Sequence, residues 1–110
     1  MLSLKDIIEI NKEFDKGTVI NSSSLSFAVQ ECARSKNWVR SAALLVRAIL
    51  IDHVFEEGNK RTAAAVIMVI MDISKIRYDP EKIPSVIITI LKKNMTSVIA
   101  IERCIKDAIA

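Results

Sequence analysis

Apolar residues recur along this chain at helical spacing almost from end to end. Leu4, Ile7, Ile8 and Phe14 trace a first stripe, closed by Asp15-Lys16-Gly17, with Gly17 as a natural helix stop. The polar run from Asn21 to Ser24 offers N-cap oxygens to a second helix. That helix places Leu25, Ala28, Val29, Cys32 and Ala33 along one face. Ser35-Lys36-Asn37 reads as a turn. Trp38 to Asp52 predicts a third helix, apolar around most of its circumference and interrupted mainly by Arg40, Ser41 and Arg47. A helix of that kind sits centrally in a bundle. After a polar loop from His53 to Gly58, Asn59 opens a fourth helix that runs to about Ser74. It carries no charge between Arg61 and Asp72, so it too belongs in the centre.

Tyr78-Asp79-Pro80 breaks the chain. Beyond it, Ile83, Val86, Ile87, Ile90 and Leu91 form an amphipathic stripe. The β-branched run at 86–90 also has the composition of a strand, but the spacing through Leu91 favours a fifth helix. Thr96 or Ser97 caps a last helix bearing Val98, Ile101, Ile105, Ala108 and Ile109. Gly17 to Ser22, through Thr18-Val19-Ile20, is the one stretch suited to extended backbone. The pattern therefore predicts an all-α fold, a compact single-domain bundle of about six helices spanning the whole chain.

Composition sharpens this reading. The chain of 110 residues has only two Gly and two Pro. A many-stranded β fold needs turn residues about every 8–12 positions, which so few breakers cannot supply. With 51% apolar residues the core is well provided. The net charge of +3 arises from interspersed basic and acidic residues, with no basic tail to mark a nucleic-acid binder. Cys32 and Cys104 lie on apolar stripes and form no metal-type cluster, so buried reduced thiols are expected. Lys5, Asp6 and Glu9 interrupt the N-terminus before a signal-type apolar region forms. The longest apolar run, Ala63 to Met71, falls well short of the ~20 residues that span a bilayer. A cytoplasmic protein without membrane partners is the expectation.

The chemistry concentrates between the two central helices. That loop holds the only histidine, two glutamates, a glycine and an asparagine, followed at once by Lys60 and Arg61. Cations in a helix first turn oppose the helix dipole, at about 0.3–1 kcal/mol each. A bound anion would reverse that cost, because free backbone N–H groups, the dipole and two cations would converge on it; phosphate is the natural ligand. The remaining residues suit phosphoryl transfer, which needs positioning, charge neutralisation and a base. His53 can be that base, since imidazole exchanges protons near neutral pH. Glu57 can bind Mg²⁺. Gly58 lets backbone approach a phosphate. Asn59 can donate from its amide and also suits an N-cap. Lys60 offers a point charge and Arg61 a bidentate fork. Taken singly, each of these is ordinary loop or surface composition, and Phe55 is a core anchor for the loop rather than a substrate contact.

Taken together, HVFEEGNKR at residues 53–61 resembles the Fic/Doc family signature His-x-Phe-x-Asp/Glu-Gly-Asn-x-Arg, without a gap. The motif resemblance extends to about residue 64, and the helices around it fit the family core in pattern. Members that transfer AMP carry glycine after the motif asparagine and a second arginine three residues after the first. Here those positions are Lys60 and Ala64, and Lys60-Arg61-Thr62-Ala63 is similar to the death-on-curing (Doc) branch. Gly58 matches the broader family, whereas Doc itself also carries alanine at this position. The resemblance implies a Fic/Doc-like domain acting as a toxin-type protein kinase. His53 would deprotonate a Ser or Thr hydroxyl, and Glu57 would ligate Mg²⁺. Gly58, Asn59, Lys60 and Arg61 would hold the phosphates of ATP. A translation elongation factor is the implied target. The family's inhibitory motif, Ser/Thr-x-x-x-Glu-Gly/Asn, does not occur here, so restraint would fall to a separate antitoxin-like protein. If there is a target-docking flap, its place is Gly17 to Ser24. AMP transfer at the same site is one alternative; a non-catalytic nucleotide or nucleic-acid binding module is another. DNA readout fits poorly, since the helix that Lys60 and Arg61 open has little polar face for base edges.

Overall fold

A computed structural model describes residues 1–110. It is all-helical: α1 (Leu4–Lys12), α2 (Ser22–Arg34), α3 (Trp38–Leu50), α4 (Asn59–Ile73), a single 3-10 turn at Pro80–Lys82, α5 (Ile83–Lys92) and α6 (Val98–Lys106). The radius of gyration is 12.3 Å, near the ~13 Å of a folded chain of about this length.

Side-chain oxygens start most of these helices. Ser3 accepts from the Asp6 N–H while the Asp6 carboxylate accepts from the Ser3 N–H, closing a capping box. Asn21, Asn37 and Ser97 cap α2, α3 and α6. The stops are less orthodox. α4 and α5 both end with a non-glycine residue in left-handed backbone, Lys75 at φ 60° and Asn94 at φ 47°. In each, paired N–H groups fold back on the last turn: Lys75 to Asp72 and Ile76 to Met71, then Asn94 to Leu91 and Met95 to Ile90. This is the Schellman arrangement, made here without glycine.

α3 is the central helix, packed against α2, α4 and α6, while α4 leans on α1, α3 and α5. Leu45, Ile49, Ile67, Ile70, Ile90 and Ile101 are fully buried at the middle of one continuous core. Each such side chain contributes about 1.5–3 kcal/mol on leaving water. The run at 86–90 is helical: Val86, Ile87 and Ile90 face the core, and Ile88 is left in solvent. Cys32 and Cys104 are free, buried thiols, and burial pushes both above the ordinary thiol range. No helix is long and apolar enough to cross a membrane.

The first stripe needs correction. α1 ends at Lys12, so Phe14 lies beyond it, 39% exposed, and Leu4 is 40% exposed. The buried members of α1 are Ile7 and, unexpectedly, Asn11. Gly17 caps no helix. At φ 74° it opens the extended segment instead, and a Cβ there would lie 2.9 Å from the Lys12 side chain. Two isolated antiparallel bridges complete the fold, Val19 with Phe55 and Tyr78 with Ile109.

Candidate active site

The connection between the two central helices is held from three sides. The Asn59 side chain reaches back to Phe55, accepting from its N–H at 3.1 Å and donating to its carbonyl at 2.8 Å. The phenyl ring of Phe55 is fully buried, so the loop is nailed at its middle. On a second side the extended segment pairs with it. The Ile20 N–H donates to the Val54 carbonyl at 2.8 Å, and the Glu56 N–H donates to the Thr18 carbonyl at 3.0 Å. On the third side, Asn11 donates from its amide nitrogen to the Glu57 carbonyl and to Thr62 Oγ1, each at 3.0 Å.

His53 sits in left-handed backbone at φ 50°, a conformation costing a non-glycine residue about 1–2 kcal/mol. Its neighbours on both sides are pinned. The Asp52 carboxylate accepts from Ser24 Oγ and its carbonyl accepts from the Asn21 amide at 2.9 Å, while Val54 is paired as above. The strained peptide turns the imidazole outward, where it is exposed.

His53, Glu57, Gly58, Asn59, Lys60 and Arg61 all line a single cavity of about 620 Å³. All six expected residues therefore come together. Phe14, Asp15, Leu50, Glu56 and Leu91 complete its wall. Phe14 and Leu91 arrive from segments 14 and 91 that the loop sequence could not announce. The same holds for Asn11, whose amide underlies the loop without lining the cavity. Its one sequence signal was a polar residue on the buried face of an amphipathic helix.

Gly58, not Asn59, occupies the N-cap of α4, at φ 77°, and no side chain caps this end. The first helical bond runs from the Thr62 N–H to the Gly58 carbonyl at 2.9 Å. The N–H groups of Asn59, Lys60 and Arg61 precede it and have no acceptor in the protein. No acid sits in the first turn. The single salt bridge of the molecule, Lys12 to Glu9 at 3.2 Å, lies elsewhere, so Lys60 and Arg61 are free of ion-pair partners. The cleft thus combines three backbone donors, a helix dipole and two cations with His53 and the carboxylates of Asp15, Glu56 and Glu57.

Magnesium held on a nucleotide takes one or two protein carboxylates and completes its shell with phosphate and water. Glu57, with Glu56 beside it, fits that role. No group of three or more His, Cys, Asp or Glu side chains gathers anywhere in the chain, so a closed protein cage for a metal is not built. Comparison of the chain with protein-family models, with curated proteins and with solved structures gives no match.

Proposed function

We infer that this domain is a Doc-type phosphotransferase that moves the terminal phosphate of ATP to a Ser or Thr hydroxyl of a protein. The observation that carries the reading is the cleft that an exposed histidine in left-handed backbone shares with an uncapped helix N-terminus and two unpaired cations. His53 takes the proton of the target hydroxyl. The hydroxyl oxygen attacks the terminal phosphorus, the bond to the bridging oxygen breaks, and ADP leaves with that oxygen. The amides of Asn59, Lys60 and Arg61, with the Lys60 ammonium and Arg61 guanidinium, hold phosphate oxygens. Asn59 contributes through its backbone and by clasping the loop, because its side chain is engaged with Phe55. Mg²⁺ carried on the nucleotide would neutralise phosphate charge, with Glu57 as its protein ligand.

Ala64, half-buried on α4 where AMP-transferring relatives place a second arginine, favours phosphate over AMP as the transferred group. In the bridge with Phe55, the backbone N–H and C=O of Val19 are left unpaired by the protein, which suits pairing with an extended target segment. An elongation factor as target and a separate antitoxin-like restraint are what the family resemblance adds.

Transfer of label from ATP in a cell lysate tests this. Label from the terminal phosphate should reach protein with the native enzyme and not with a folded His53→Ala variant. Label arriving only from the alpha phosphate would replace kinase by AMP transfer. A cellular effect that survives His53→Ala would replace catalysis by binding alone.

A further inference from the structure

Asn11 is one of only three buried polar residues, with no exposed surface, on a helix that contributes little else polar to the interior. Burying an amide is favourable only if its hydrogen bonds are made. Here Oδ1 accepts from the Gly17 N–H at 2.8 Å, and Nδ2 donates to the Glu57 carbonyl and to Thr62 Oγ1. Each partner belongs to a different segment around the cleft, and Glu57 lines it directly. Gly17 starts the extended segment that pairs with the loop. Glu57 carries the carboxylate. Thr62, itself fully buried, lies in the first turn of α4. Packing α1 against α4 would need only an apolar side chain; three simultaneous bonds to backbone and hydroxyl need this amide.

We propose that Asn11 is the positioning residue of the cleft, a clamp that fixes the Glu57 backbone and the α4 N-terminus relative to each other and to the extended segment. The role rests on the phosphotransferase reading for its consequence but not for its geometry. Gly58 is part of the same device: a Cβ there would lie 3.2 Å from the Asn11 amide nitrogen, so the turn and the clamp fit only if residue 58 is glycine or the amide gives way.

The test compares the native chain with Asn11→Asp and Thr62→Val. Asn11→Asp keeps the acceptor for Gly17 but loses the paired donations to Glu57 and Thr62. Thr62→Val removes one acceptor with little change of volume. Amide hydrogen exchange, resolved by residue, is read beside ATP·Mg²⁺ affinity and the rates of label transfer. In Asn11→Asp, exchange at the hydrogen-bonded amides Glu56 and Thr62, which flank the clamped turn, should quicken at least about tenfold while the middle of α3 exchanges as in the native chain. KM for ATP should rise and kcat should fall, together by about a hundredfold, the scale of an ångström-sized misplacement. Thr62→Val should change both readouts in the same direction by a few-fold, and it decides the matter if Asn11→Asp does not fold. Native exchange at Glu56 and Thr62 in the folded variants, or faster exchange spread evenly over all helices, would overturn the proposal. If the native chain itself neither binds ATP nor transfers label, the phosphotransferase reading fails, while the exchange pattern still decides whether Asn11 clamps the loop.

Discussion

At the scale of single residues, the cleft depends on two positive-φ positions five apart in sequence, His53 and Gly58. They differ in what could replace them. His53 already bears the left-handed penalty, and the bonds of Asp52 and Val54 hold it there. Gly58 avoids the penalty, and a Cβ at that point would meet the Asn11 amide as well. Gly58→Ala should therefore cost about 1–2 kcal/mol from backbone strain alone, read as a lower urea midpoint at unchanged slope. Cys32 marks the opposite case, a side chain whose chemistry is suppressed. Its thiol is held above the ordinary range first by burial, and it donates to the Ser41 carbonyl, a bond that only the protonated thiol can make. The folded chain keeps that proton where the unfolded chain releases it. The associated stability is complete below the unfolded thiol value, about pH 8.5, and is lost as pH rises towards the folded one. The melting temperature should fall on the alkaline side, and less steeply in Cys32→Ala than in the native chain.

At the scale of elements, helix starts and the ends of α2 and α4 were legible, whereas the end of α1 and the backbone geometry of the stops were not. Asn21 and Ser97 announce themselves because a capping oxygen is a local property of one residue, while Asn37, read only as part of a turn, proves to cap α3. Lys75 and Asn94 end their helices in left-handed backbone, and that stop goes with the packing of the partly buried Ile76 and Met95 against the core. Gly17 misled about the end of α1. Its φ is positive as expected, but the turn it serves opens the extended segment and does not close α1. The expectation of extended backbone over Gly17 to Ser22 holds for the part that pairs, Thr18 to Ile20, whereas Ser22 already begins α2. That pairing steadies one side of His53. Ile20→Pro deletes the N–H that bonds Val54 and should slow label transfer by roughly tenfold or more through misplacement of the base. Its circular dichroism should stay native, because residue 20 lies outside every helix.

At the scale of the whole molecule, the order of burial follows hydrophobic patterning closely. α3 and α4 read as central and are central. The loop between them carried the motif, so six of the cavity-lining residues were legible together. Asn11, Phe14 and Leu91 were not, because nothing local to residues 11, 14 or 91 records that the fold brings them to the loop. A single sequence reports periodicity and capping, both short-range quantities. It reports long-range juxtaposition only where a motif happens to be contiguous.

The uncapped start of α4 has a thermodynamic consequence for the entire fold. With no acid in its first turn and two cations there, the free domain carries local repulsion that an anion would relieve. Occupancy and stability are then linked, and the melting curve becomes a gauge of ligand. A ligand at about a hundred times its dissociation constant adds ~2.7 kcal/mol, and each kcal/mol moves the melting point of a domain near this size by roughly 4–8 °C. Lys60→Glu separates the two quantities. It should raise the melting point of the free chain, since an acid suits that turn, and shrink the further rise that ATP produces. Selection for a robust fold and selection for an occupied cleft would pull residue 60 in opposite directions.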